Sequence, residues 1–141
     1  MRYCQKWLKP HETYRPVPGS HQGKWSAAST GRYPDLMLPA SARRTVQLRD
    51  NHQCQSCGIH ADDIQHRIAR GMGGTSNPDI ETGLANLISL CRPCHNLCET
   101  RDLTMHERGL WLYRHENPTQ VPVITWDHRT IHLHNDGTWN F

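Results

Sequence analysis

The sequence predicts a small α+β domain, and three observations carry that reading. Strand-like and helix-like segments alternate from residue 41 onward. Apolar material is scarce, with hydrophobic residues at 35% and a mean hydropathy of −0.78. Two Cys-x-x-Cys pairs, Cys54/Cys57 and Cys91/Cys94, enclose His66 and Asn86, and His95 follows the last Cys directly. Two such knuckles close one tetrahedral zinc site. A chain of 141 residues has only a modest core, so a metal staple is physically useful.

Residues 1–40 hold five of the nine prolines and little periodicity, and read as an irregular N-terminal arm. Trp7, Trp25 and Tyr33 could pin this arm onto the domain or stack on bases, packing being the commoner role for such residues. The spacing predicts a helix over Ser41–Asp50, with Ser41 as N-cap and Val46 and Leu48 inward. Ile64–Ala69 reads as a strand, and the glycine-rich run Gly71-Met72-Gly73-Gly74 must turn the chain. Pro93 suits the first turn of a helix running to about residue 100. Asp102 is placed to cap a second short helix that Gly109 stops. The tail reads as strands over Leu110–Tyr113, Val121–Trp126 and Ile131–His134, with Asn135-Asp136-Gly137 turning into Thr138-Trp139.

The knuckle spacing lets two thiolates face one ion while backbone N–H groups support the sulfurs. Residues 58–90 separate the pairs, a longer gap than in a simple ribbon. Loop closure grows costlier only logarithmically, so a folded insert is tolerable. Cys4 and Cys98 are left as spare thiols, and His60 is a possible but unnecessary substitute ligand. With no signal peptide or membrane span in view, the chain reads as intracellular, where paired cysteines hold metal rather than disulfides.

Net charge is only +3, yet 13 of the 16 basic residues are Arg. Arg grips phosphate bidentately. That composition permits nucleic-acid binding, and a GC-rich genome explains it equally well.

Taken in order, Cys54-Gln55-Ser56-Cys57-Gly58, Gln65-His66-Arg67-Ile68, Gly71-Met72-Gly73-Gly74, Leu84-Ala85-Asn86-Leu87-Ile88-Ser89-Leu90-Cys91 and Cys94-His95-Asn96 resemble the zinc-containing, phage-type HNH endonucleases. The resemblance covers about residues 43–109. It implies a ββα-metal (His-Me finger) core stapled by the Cys4 zinc, spanning 41–109, with 110–141 as a strand-rich extension of the same domain.

The resemblance implies roles as well. His66 would be the general base, Asn86 would fix the loop beside it, and His95 would hold a catalytic divalent ion. Gln65 stands where many members carry a charged or imidazole ligand. Its amide oxygen can bind a hard cation without carboxylate charge, and Asp63 or Glu99 could compensate. Arg67 and Arg70 flank the loop as candidate phosphate ligands, Arg67 the stronger. His132 and His134 share a strand face that reads as exposed polar surface.

The implied function is a metal-dependent DNA endonuclease that nicks or cuts by phosphodiester hydrolysis. It would use Mg²⁺, Mn²⁺ or another divalent ion beside structural Zn²⁺. DNA is the expected partner, with phage DNA processing or packaging and a terminase as the setting, in the cytoplasm of a bacterial host and away from membranes. The competing reading is a zinc-stabilised DNA-binding or terminase-associated module with little activity of its own.

Overall fold

Pro39 opens the first helix, α1, Ala40–Arg49, in the computed structural model, which describes residues 38–72 and 75–141. The expected N-terminal arm, with Cys4, Trp7, Trp25 and Tyr33, lies outside the described residues, as do Gly73 and Gly74. Ser41 is not the cap: Pro39 takes that position, and the Ser41 carbonyl instead accepts a bond from Thr45 Oγ1 at 3.0 Å. Val46 is fully buried, but Leu48 is 61% exposed. Residues two apart on a helix lie about 200° apart around its axis, so the two cannot both face inward.

Strand β1, Asp63–His66, is shorter than the expected 64–69 run. It pairs antiparallel with β2, Leu87–Leu90, in the register Asp63↔Leu90 to His66↔Leu87. Between them the chain makes a one-turn helix α2, Pro78–Glu81, whose N-cap Asn77 accepts from Asp79 N–H. A 3-10 turn, Leu84–Asn86, then leads into β2. Every β2 residue is buried, which fits a run of Leu, Ile, Ser and Leu covered on both faces.

Helix α3, Arg92–Glu99, follows with Pro93 in its first turn, and it packs against β1. Helix α4, Leu103–Glu107, is capped by the Asp102 carboxylate, which accepts from the Thr104 and Met105 N–H groups. Gly109, at φ +69°, ends it. A Cβ there would lie 2.0 Å from the Pro122 carbonyl oxygen, so the close approach demands glycine. The tail forms β3, Val123–Ile124, β4, Thr130–Leu133, and β5, Trp139–Asn140, in one antiparallel sheet. His132 and His134 both sit half-buried on its outer side.

Leu110–Tyr113 is not a strand. It makes one parallel bridge, Ile68↔Leu112, and the Trp111 ring N–H turns away to the Asp102 carbonyl at 2.7 Å. The Leu110 N–H instead donates to the Met105 carbonyl at 2.9 Å and the Tyr113 N–H to the Glu116 carboxylate at 2.6 Å, so neither enters a ladder.

Buried guanidinium groups join apolar contact in the packing, where Val46, Leu87, Leu90, Leu110 and Val123 are fully buried. One small apolar cluster holds Ile68, Ile80 and Leu112, with Val121 against it. Arg49 pairs with Asp50 at 2.7 Å and donates to the Leu84 and Leu87 carbonyls. Asp50 in turn accepts from Ser89 N–H at 2.8 Å, which ties α1 to β2. Arg108 reaches the Ser56 hydroxyl and carbonyl and the Ile124 carbonyl, joining the first knuckle to the tail sheet.

Arg67 is the most enclosed of these residues, at 1% exposure. Its Nε donates to the Gly109 carbonyl at 2.7 Å. Its terminal nitrogens donate to the carbonyls of Ala85 at 3.1 Å, Pro118 at 2.7 Å and Val121 at 2.7 Å. No edge of this guanidinium remains for a phosphate, which overturns the expectation that Arg67 grips DNA. Burial pushes its pKa down to about 9, with Arg49 nearby acting the same way, so it stays charged at neutral pH.

Removing this hub strands several buried carbonyls, each costing about 1–3 kcal/mol. We expect Arg67→Met to lower stability by about 3 kcal/mol or more in urea unfolding of the zinc-loaded protein. Arg67→Lys, with fewer donors in no fixed fork, should fall between. An Arg67→Met protein as stable as the parent would show that the hub is dispensable.

Candidate metal centre and catalytic cleft

Cys54, Cys57, Cys91 and Cys94 converge with all four sulfurs within 4.8 Å of one another. Each is buried. The first knuckle is set by Cys54 N–H donating to the Ile59 carbonyl at 2.7 Å and Gly58 N–H donating to the Cys54 carbonyl at 2.7 Å. Gly58 has φ +79°, and a Cβ on it would meet the Trp126 ring at 2.7 Å, so the tail seals this knuckle. The second knuckle runs into α3, with Cys91 as its N-cap residue and His95 N–H returning to the Cys91 carbonyl at 2.9 Å.

The chemistry of this donor set fits a divalent metal. Contacts from Cys54, Cys91 and Cys94 push the Cys57 thiol down, while sulfur contacts led by Cys54 push Cys91 and Cys94 up. Four crowded sulfurs cannot share negative charge evenly without a cation, and a tetrahedral zinc resolves the conflict. Cys98 stands apart: its Sγ lies 3.8 Å from the Leu110 carbonyl, and burial raises its pKa to about 12. His60 is exposed and takes no part in the cluster.

A cleft of about 440 Å³ opens beside the second knuckle, lined by Gln65, His66, Arg70, Met72, His95 and Glu99 among others. Gln65 and His66 alternate along β1, yet both reach the cleft because it opens at the strand's end. The Gln65 amide donates to the His66 carbonyl at 3.0 Å, which directs its N–H₂ side.

His66 is oriented by a backbone group. Its Nε2 lies 3.1 Å from the Glu81 carbonyl oxygen, which can only accept, so Nε2 carries the proton. Nδ1 is then the basic nitrogen. Burial lowers the His66 pKa, the Glu81 carbonyl partly opposes this, and the Arg70 charge adds to the lowering. The neutral ring is therefore the form present at pH 7.

Asn86 is fully buried and ties three backbone groups together. Its Oδ1 accepts from Ile68 N–H at 2.7 Å, and its Nδ2 donates to the Ile68 carbonyl at 3.1 Å and the Ile80 carbonyl at 2.8 Å. These bonds hold the residues after His66 against the helix that supplies the Glu81 carbonyl. Arg70 stands at the cleft rim and pairs with Glu81 at 2.9 Å.

His95 lies between two carboxylates. Its Nδ1 is 3.3 Å from Asp63 Oδ2, and its Nε2 is 3.4 Å from Glu99 Oε1. Asp63 is itself held by Arg92 at 2.9 Å. Asp63 Oδ2 and His95 Nδ1 are buried without a well-directed hydrogen bond.

The Glu81 partnership with His66 escaped sequence reasoning. It runs through a main-chain oxygen, which any residue type supplies, so no sequence signal existed. Arg101 and Trp111 also line the His66 cleft, on a side the motifs do not mark. No helix among the described residues is long and apolar enough to cross a membrane.

We expect one zinc per chain by elemental analysis, lost on Ser substitution at Cys54, Cys57, Cys91 or Cys94 and kept in Cys98→Ser. Zinc retained by Cys91→Ser at full stoichiometry would refute the four-sulfur site. His66 should titrate below the usual histidine value of about 6.5 when followed by NMR in the zinc-loaded protein. A folded pKa below the unfolded one means that the unfolded chain binds the proton first. This group's contribution to stability is thus full above about 6.5 and declines as pH falls through the window below it. A His66 midpoint at or above the usual value would contradict the burial argument. Comparison with known protein families, with curated proteins and with solved structures finds no match.

Proposed function

We propose that this chain is a metal-dependent DNA endonuclease of the HNH type, with His66 as its general base. The observation that carries the reading is the cleft in which a neutral, backbone-oriented His66 stands with Gln65, His95 and Glu99. The chain order supports it: β1 and β2 form an antiparallel pair, and α3 follows immediately and packs on β1. That is the order of a ββα-metal unit.

His66 Nδ1 would take a proton from the attacking water, while Nε2–H stays on the Glu81 carbonyl and prevents ring rotation. Asn86 keeps that carbonyl and the residues after His66 in one frame. The donors fit a hard or borderline divalent ion: His95 offers Nε2, Glu99 a carboxylate and Gln65 an amide oxygen. Asp63, on the far side of the His95 ring, would hold Nδ1–H and leave Nε2 as the ligand atom. Such an ion, when bound, supplies positive charge at the developing negative charge of the phosphodiester.

One observation favours a second reading. Gln65 brings no charge to the ligand set, and a weak catalytic ion site would leave a zinc-stabilised DNA-binding module. Supercoiled plasmid incubated with Mg²⁺, Mn²⁺ or no added ion separates the two. We expect ion-dependent nicked or linear product, reduced at least about 100-fold in His66→Ala with zinc and fold retained. Asn86→Ala should also lower the rate, with loss of stability from the three freed backbone groups. Equal cleavage by His66→Ala would exclude His66 as base. No cleavage by the folded, zinc-loaded parent with any ion tested would favour the binding module.

A further inference from the structure

The space around His66 has two lobes. One is lined by Arg70, Gly71, Met72 and His95. The other is lined by Cys98, Arg101, Trp111 and Leu112. Gln65, His66, Ala69 and Glu99 border both. The base thus stands on a ridge with a guanidinium on either side, Arg70 in one lobe and Arg101 in the other.

Arg101 differs from the other arginines described so far. Arg67 and Arg108 spend their donors on carbonyls, and Arg49, Arg70, Arg92 and Arg129 pair with carboxylates. Arg101 is exposed and forms no ion pair among the described residues. Its guanidinium carbon lies 5.5 Å from the centre of the Trp111 ring.

That platform is rigid. Trp111 is 4% exposed, and its ring N–H is held by the Asp102 carbonyl. It packs against His106 and Tyr113 at ring distances of 4.6 and 5.0 Å. A guanidinium lying on an aromatic ring uses its face, so its N–H donors remain in its own plane, available for a bidentate acceptor. The Arg101 backbone adopts φ +57°, held by its N–H on the Cys98 carbonyl at 3.0 Å. This left-handed conformation carries a cost for a long side chain, and here it brings the residue back over Trp111 directly after α3.

We propose that Arg101, held over the Trp111 ring, is a phosphate ligand for the substrate strand. The strand crosses His66 with one backbone phosphate on Arg101 and the next contacts on the Arg70 side. This assignment rests on the nuclease reading and adds the cation that the enclosed Arg67 cannot provide. Phosphate contacts fix position and register but read no sequence, so Arg101 would strengthen binding equally for all duplexes.

The test uses full-length, zinc-loaded His66→Ala protein without added divalent ion and a fluorescein-labelled DNA duplex, followed by anisotropy over a salt series. Adding Arg101→Ala should weaken binding about five- to tenfold and lower the log–log salt slope by about one. Arg101→Lys, which keeps the charge but loses the fork, should recover part of the affinity. Arg129→Ala, on the tail hairpin and paired with Asp127, should bind as the parent does. Arg101→Ala binding with unchanged affinity and slope would overturn the assignment alone. A parent that binds no duplex would overturn the nuclease reading and this assignment with it. Duplex binding that depends on Arg101, with no cleavage by the wild-type chain under any ion, would leave the assignment standing and remove the nuclease.

Discussion

A single buried guanidinium ties the end of β1 to three other parts of the chain. Arg67 follows His66 directly, and its side chain bonds carbonyls contributed by residues 85, 109, 118 and 121. Taking a full charge out of water is expensive, and only dense, well-directed acceptors offset it. Those four carbonyl dipoles do so, and they come from the turn before β2, the end of α4 and the tail. The strand end that presents His66 is therefore fixed by three distant parts of the chain at once. In a chain this polar, such directed bonds add orientation that apolar contact alone does not give.

The sulfur cluster works on the other side of the same site. Cys94 and His95 are neighbours in the first turns of α3, so the helix that closes the metal centre also carries a cleft histidine. Arg108 joins that centre to the tail sheet by bonding the first knuckle and Ile124. Sulfur cluster, helix and tail are thus directly connected. Emptying a metal held by these four sulfurs would reach the cleft through His95, the next residue after Cys94.

Much of this was legible in the residues. Paired Cys-x-x-Cys motifs have few uses, and the four sulfurs do meet. Pro93, Asp102 and Gly109 act within a turn of their own positions, so local chemistry predicts where α3 and α4 begin and where α4 stops. Interactions that span the chain were hidden. Arg67 looked like a phosphate ligand because its side chain suits phosphate and carbonyl alike. Only the fold shows which acceptors surround it. Leu110–Tyr113 carried strand-like residues, yet the Leu110 N–H goes to the Met105 carbonyl and the Tyr113 N–H to the Glu116 carboxylate, leaving a single bridge at Leu112. Asn86 was easier, since a buried amide bonding nearby backbone needs no remote partner to be named.

The placement of the Arg67 acceptors has a consequence for the order in which the protein becomes competent. Synthesis delivers His66, then the cysteines of the second knuckle, and only afterwards Pro118 and Val121. A growing chain can gather its four sulfurs while the guanidinium beside His66 still lacks three of its four carbonyl partners. The His66 frame is thus completed only once residues 118–121 have emerged. The sulfur cluster can therefore form before the frame around His66 is closed.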